Sequence, residues 1–394
     1  MSARRRAPRT RPLSALALAS LAAVALTATS PGALGAQAAR AEPPRPRLAA
    51  GADTNDAESY HAYAIPRSTP WKKKYDAEYW AYRLNPLQPA YLYGQWLSLW
   101  YKQSPEWRDE FRAGAEFVLK SKETRELDSL FLEAQTRDPF VHLYNTVCYV
   151  PEWITQVRSA VTRAYVYYDG GCYARAAATF DTALAKHPKR LSMRLDRARA
   201  SYWVEHYGNA IKELRIVLDT LRARDQKKLV HAYESKEMLE YMLGAAYARD
   251  GQYALAREAY GRALEENLSF YMAHAHLGDV ARAQGDIATT VQEYETAVQL
   301  KADDVALRHE YGRALLDAQP RRNEDAEAQF RKAIELNPYF ATSYFNLAVA
   351  LDNQDKKAEA VEQYNAYLAR APRDAAKLVA RARERLAALT TASK

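Results

Sequence analysis

The sequence predicts an all-α protein: a solenoid of about six helix pairs, preceded by a helical, aromatic-rich region and closed by a capping helix. Three observations predict it. A pattern of small and bulky residues returns about every 34 positions from residue 151 onward. The stretch before it breaks into helix-compatible segments punctuated by Asn85-Pro86, Pro89, Pro105 and Asp138-Pro139. The last stretch, RDAAKLVARARERLAAL, is amphipathic with its charges on one side, which suits the polar end of a repeat stack.

In chain order, residues 1–11 carry five arginines and no acid, and the apolar run PLSALALASLAAVALTA follows before small residues ending GAQAARA. This is the layout of a secretory signal over residues 1–38, with cleavage expected close to Ala38 or Ala41. The apolar run is shorter than the roughly 20 residues a membrane span needs; an uncleaved signal anchor is the alternative. No cysteine lies near the cleavage region, so a bacterial lipid anchor there is excluded. Cleavage after Ala38 removes Arg4, Arg5, Arg6, Arg9 and Arg11, and the net charge falls from +8 to +3. The basic character is therefore largely targeting, and nucleic-acid binding loses its main support. The leader and the alanine- and arginine-rich composition look bacterial, and the expected location is the periplasm or cell envelope.

Residues 39–70 are rich in proline, alanine and polar residues and read as a disordered lead-in. From Trp71 to residue 150 the chain is dense in tryptophan and tyrosine, with helices expected over 72–83, 89–102, 106–120 and 123–136. Aromatics at helical spacing mark a core rather than a carbohydrate platform. Cys148 and Cys172 are the only cysteines. The stretch between them reads as a helix of about 17 residues, which separates its ends by roughly 25 Å. A disulfide tolerates only about 7 Å between Cα atoms, so both thiols are expected to be free.

Residues 151–372 hold the repeats. A small residue stands early in each second helix, at Ala176, Ala210, Ala256, Thr290, Ala326 and Ala360, with gaps of 34, 46, 34, 36 and 34. Four positions on come Phe180, Leu214, Tyr260, Tyr294, Phe330 and Tyr364, and three further on Ala183, Val217, Ala263, Ala297, Ala333 and Tyr367. Proline closes three units, at Pro188, Pro338 and Pro372. The first helices carry Ala164, Ala198, Gly244, Gly278, Gly312 and Ala348. Small residues let paired helices approach, and bulky ones fill the remaining space.

This 34-residue pattern resembles the tetratricopeptide repeat over about 220 residues. The resemblance implies a right-handed α-α solenoid. Two departures stand out: an extra 12 residues within TLRARDQKKLVHAYESKE, which lengthen helices or add a basic loop, and two extra residues in the turn DAQPRRNED. Residues 373–394 supply the cap and tail.

No H-E-x-x-H, G-x-S-x-G, G-x-G-x-x-G or P-loop pattern is present. His274 and His276 stand two apart on a helix and cannot share a metal as an i, i+4 pair can. No catalytic residue, metal or cofactor is therefore assigned. The resemblance implies a concave surface lined by first helices. Its candidate groove residues are Tyr165 and Tyr168; Arg199, Tyr202 and Trp203; Tyr241 and Arg249; Arg282; His309 and Arg313; Phe345 and Asn346. Arginine pairs bidentately with carboxylates, and flat aromatics hold a chain at low entropy cost. The expected partner is thus a peptide or protein, with an acidic or C-terminal segment suiting the arginines; a solvated arginine-rich face is the alternative. The carboxylate clamp of chaperone-binding members is not matched, because its places hold Val161 with Tyr165 and Leu195 with Arg199. The expected function is an exported adaptor, the alternatives being an envelope enzyme with its active site in 71–150 or a structural subunit of an envelope assembly.

Overall fold

A computed structural model describes residues 42–66, 68–103, 121–141, 148, 150–225 and 235–391. The expected signal at 1–38, the expected helix at 106–120 and part of the long insertion lie outside them. Among the described residues the regular structure is helical, with no strand. The described helices that precede the repeats are α1 (Ala57–Ala64), α2 (Trp71–Leu84), α3 (Ala90–Gln103) and α4 (Ser121–Arg137). The six pairs are α5 (Ala160–Asp169) with α6 (Tyr173–Lys186), α7 (Leu191–Trp203) with α8 (Tyr207–Asp225), and α9 (Lys236–Arg249) with α10 (Tyr253–Glu266). They continue as α11 (Tyr271–Ala283) with α12 (Ile287–Leu300), α13 (Val305–Asp317) with α14 (Asn323–Leu336), and α15 (Ala341–Asp352) with α16 (Lys357–Leu368). The cap is α17 (Ala376–Thr391), clamped by two 2.8 Å bonds from Arg385 to the Asp352 carboxylate.

One contact recurs in three of the six pairs. The glycine of a first helix faces the ring of its own second helix. A Cβ at Gly244 would sit 2.6 Å from Tyr260, at Gly278 2.9 Å from Tyr294, and at Gly312 2.7 Å from Phe330. Those rings are buried, and so is every small residue at the head of a second helix. The intervening turns share a left-handed residue, Gly171, Gly251 and Gly285 in three pairs and Glu205 and Asp355 in two others. Glycine suits that backbone because no Cβ meets the following carbonyl. The fifth pair, where two residues are added, has a longer turn over 318–322 between its helices. The other insertion lengthens α8 to 19 residues, against 14 in α10 and α12.

The N-terminal helices match expectation at 71–84, 90–103 and 121–137, and their aromatics form core. Trp96 meets Tyr93 at 4.9 Å and Phe131 at 5.2 Å between ring centroids. Over its described residues, 42–66 and 68–70, the lead-in is ordered rather than disordered. Residues 42–56 have a defined path, α1 follows, and Tyr60 is fully buried. Aromatic anchors supply what composition hid: Arg45 lies over the Trp80 ring at 4.7 Å, and Trp80 Nε1 donates to the Pro43 carbonyl at 2.9 Å.

Nor are the N-terminal helices a separate lobe, because they fold back along the solenoid. Trp80 packs edge-on against Tyr339, and Asn337 Nδ2 donates to the Arg83 carbonyl at 2.7 Å. The Arg373 backbone N–H donates to Asp53.

The cysteine expectation is also corrected. Cys148 and Cys172 form a disulfide, with 4.6 Å between Cα atoms. The helix assumed between them is broken. A short 3-10 turn spans Glu152–Gln156, and α5 starts only at Ala160, where Ser159 accepts from the Thr162 N–H at 3.2 Å. A serine whose side chain caps a helix start stops the preceding turn from continuing into it. No helix among the described residues is long and apolar enough to cross a membrane.

Candidate functional site

The first helices present a continuous row of side chains, and a short stretch of the chain itself lies across that row. This strap is the last turn of α4 with the turn after it, Glu133–Val141. Asp138 shapes it: its carboxylate accepts from the Phe140 N–H, and its carbonyl accepts from the Val141 N–H, both at 2.9 Å.

Four consecutive repeat units grip the strap. On α7, Tyr202 stacks on Phe140 with ring centroids 3.7 Å apart and planes 3° from parallel, while Trp203 Nε1 donates to the Phe140 carbonyl at 2.9 Å. On α9, the Tyr241 hydroxyl donates to the Thr136 carbonyl at 2.8 Å. Burial pushes that phenol well above its ordinary value, which keeps it a donor. On α11, His276 Nε2 meets the Arg137 carbonyl at 3.3 Å, and the Tyr271 hydroxyl faces the Glu133 carboxylate at 3.4 Å. At the head of α13, Asp304 forms an ion pair with Arg137. Its side chain is fully enclosed, and it also caps the helix by accepting from the Leu307 N–H at 3.0 Å. Phe140 itself is fully buried within the solenoid core.

The surroundings of His276 favour its protonated form. Burial opposes protonation, but its hydrogen bond to Asp279 and the charges of Asp279 and Asp138 raise its pKa above the ordinary histidine value. Its two ring nitrogens face acceptors, Nδ1 the Asp279 carboxylate at 3.3 Å and Nε2 the Arg137 carbonyl of the strap.

The expected groove residues divide into two sets. Tyr202, Trp203 and Tyr241 do lie together, on the strap. The others are engaged within the repeats. Tyr165 sits edge-on against Phe180, and Tyr168 against Tyr173. Phe345 is buried against Tyr364 and Tyr367. His309 is buried between Ser343 and Asn346, whose amide points at its Nε2 at 3.3 Å. Burial pushes its pKa down to about 4, so the ring is neutral.

The arginine track needs the larger correction. Arg199 is buried beside Asp196, with 3.3 Å between them, and Arg282 and Arg313 both engage Glu310, at 2.8 and 2.9 Å. Arg249 rests on the Tyr207 hydroxyl at 3.4 Å. Three of the four are therefore paired with carboxylates of their own or the next unit. The charge-reading feature of this face is instead acidic, Asp304, and its guest is an arginine.

Asp304, His276, Tyr271 and the strap went unread in the sequence. Asp304 stands one residue before a helix rather than on its stripe, and Asp138-Pro139 reads only as punctuation. Among the described residues of the N-terminal helices, His61 of α1 and Glu78 of α2 form a buried polar pair 2.9 Å apart, beneath Gly94, where a Cβ would meet the Glu78 side chain. That pair is enclosed in the helical core.

Stacked antiparallel pairs with a gripped chain segment on the first-helix face define a helical-repeat protein of the α-α solenoid class. Residues 161–218 and 241–305 match one sequence model described as tetratricopeptide repeat, and residues 329–362 match another. The chain carries tetratricopeptide repeats, and as such is a protein–protein interaction scaffold.

Among solved structures, YrrB, described as a TPR protein with an unusual peptide-binding site, is 18% identical. The match covers 53% of this chain and 100% of that one, with a TM-score of 0.41. The C-terminal part of a TPR repeat-containing protein from Cytophaga hutchinsonii is 21% identical, covering 53% and 78%, with a TM-score of 0.46. MamA is 22% identical, covering 43% and 93%, with a TM-score of 0.36. No match is found among curated proteins.

Proposed function

We propose that this scaffold is exported and that it holds a short segment of a partner protein across its first-helix face. One observation carries the second part. Side chains from three successive units, Trp203, Tyr241 and His276, are aimed at main-chain carbonyls of the strap. Carbonyls are common to every peptide, so such a row recognises a chain as a chain and leaves selectivity to the pockets beside it. Export is supported by the leader and by the Cys148–Cys172 disulfide, since such bonds persist in oxidising compartments and are rare in the cytosol.

Affinity capture from envelope extract tests the face. A folded Trp203→Phe/Tyr241→Phe chain removes two donors and keeps an aromatic ring at each position, and it is expected to lose the partners that the parent chain retains. Unchanged capture would overturn the proposal. Mass spectrometry of the mature N-terminus tests export: an intact Met1 or Ser2 would refute cleavage and favour an anchor.

A further inference from the structure

Resting on that peptide-holding face, the geometry points to a more specific conclusion. The Glu133–Val141 strap is a resident pseudo-ligand, and the partner that displaces it presents an arginine three residues ahead of an aromatic ring, joined by a tight turn.

The face itself sets this chemistry. Asp304 is enclosed, yet its carboxylate is stabilised without any guest by the N-terminus of α13, whose Leu307 N–H it accepts. It is a preformed socket for a cation. The planar guanidinium of Arg137 fills it. Tyr202 and Trp203, three units away, form a slot for a flat ring and supply one donor for the carbonyl of the residue that carries it. Between socket and slot, Tyr241 and His276 hold backbone. The two pockets belong to different helices of a rigid stack, so their separation is fixed and selects the arginine-to-aromatic spacing. An acidic guest is disfavoured twice: Asp304 would repel it, and Arg282 and Arg313 already share Glu310.

The strap is attached to the face it fills. A tethered ligand acts at an effective concentration on the order of millimolar, so it masks the face from weak or abundant competitors. A partner must match both pockets to displace it.

The test uses the full chain and a fluorescein-labelled peptide of residues 133–141, EAQTRDPFV. Binding to the wild-type chain is expected to be at least tenfold weaker than binding to an Arg137→Ala/Phe140→Ala chain, whose own strap no longer competes. On that double variant, a peptide with alanine replacing both the arginine and the phenylalanine is expected to bind at least tenfold more weakly than the parent peptide. Equal binding to the wild-type and the folded double variant, or equal binding of the two peptides, overturns the inference. Circular dichroism reports folding. If the double variant loses its helical signal, Arg137→Lys/Phe140→Leu takes its place under the same criteria. The outcomes also separate the two proposals. A failed peptide with envelope capture still lost in Trp203→Phe/Tyr241→Phe sinks only the arginine–aromatic chemistry. Failure of both sinks the peptide-holding face as well.

Discussion

The repeat pairs and the N-terminal region are both helical and both rich in buried rings, but they are held together differently. In the pairs, Gly244 meets Tyr260 and Gly312 meets Phe330 across fewer than twenty residues, and the same contact recurs. In the N-terminal region the decisive contacts are single and distant: Arg137 to Asp304 spans 167 residues, and Asn337 to Arg83 spans 254. Repetition makes a contact redundant, since each unit leans mainly on its neighbours. A single long-range contact has no such backup, and its loss is felt in one place.

That difference can be broken first with two phenylalanines, both fully buried. Phe330→Ala removes a ring from the interior of a pair and is expected to cost about 3–5 kcal/mol of global stability, read by chemical denaturation. Phe140→Ala is expected to cost less globally and to raise amide exchange selectively over 136–141, because the strap can open while the stack stays closed. Equal global losses would show that strap and stack form one cooperative unit.

Two arginines sharpen the contrast next. Arg137→Ala leaves Asp304 enclosed without its partner, a loss of up to about 3–5 kcal/mol for a buried pair, reduced here because Asp304 still caps α13. Arg313, half exposed beside Glu310 on the predicted track, is expected to cost about 0.2–1 kcal/mol when changed to alanine. Thermal melts of both variants decide the ranking.

These comparisons show what could be read in advance. Ala256, Tyr260 and Ala263 are legible because a helical period and a 34-residue period both point to them. Tyr202, Trp203 and Tyr241 are legible as first-helix positions, though not their partner. Asp304 and Arg137 are not, because a pair 167 residues apart leaves no periodic trace, and an aspartate before a helix already has a local explanation as a cap. The arginines misled for a related reason. Arg282 belongs to the stripe, but its partner Glu310 lies 28 residues on, in the next unit, and only the stacked structure neutralises it. Ser159 shows the local version: the helical pattern runs through it, and the capping side chain ends that pattern.

A weaker effect follows from pH. The His276 pKa is raised in the folded chain, so its contribution is complete below the ordinary histidine value and is lost as pH rises through the raised one. The groups facing it are Asp279, Asp138, the Arg137 carbonyl and the Tyr241 and Tyr260 rings. Amide exchange over 136–141 is therefore expected to quicken with pH beyond its intrinsic dependence, and a His276→Gln chain is expected to lose that excess. An identical excess in both chains would remove His276 from the strap's hold.

The smallest effects belong to the turns. Gly251→Ala, at a left-handed residue with φ 76°, is expected to cost about 1 kcal/mol. Glu205→Gly, with φ 60° in the equivalent turn, is expected to gain less than that, because glycine also frees the unfolded chain. Denaturation midpoints of the two variants test whether the turns are equivalent.

The long reach of the Arg137–Asp304 pair also fixes an order of events at birth. Translation delivers residues 133–141 well before Asp304 exists, so while the early repeat pairs stack locally the nascent strap has only Tyr202, Trp203, Tyr241 and His276 to dock against. Contacts this distant in sequence close late, after the local ones. Each newly made molecule therefore passes through a stage in which the strap is held by the earlier units alone, without the Asp304 ion pair, and a partner present at that moment meets a weaker rival.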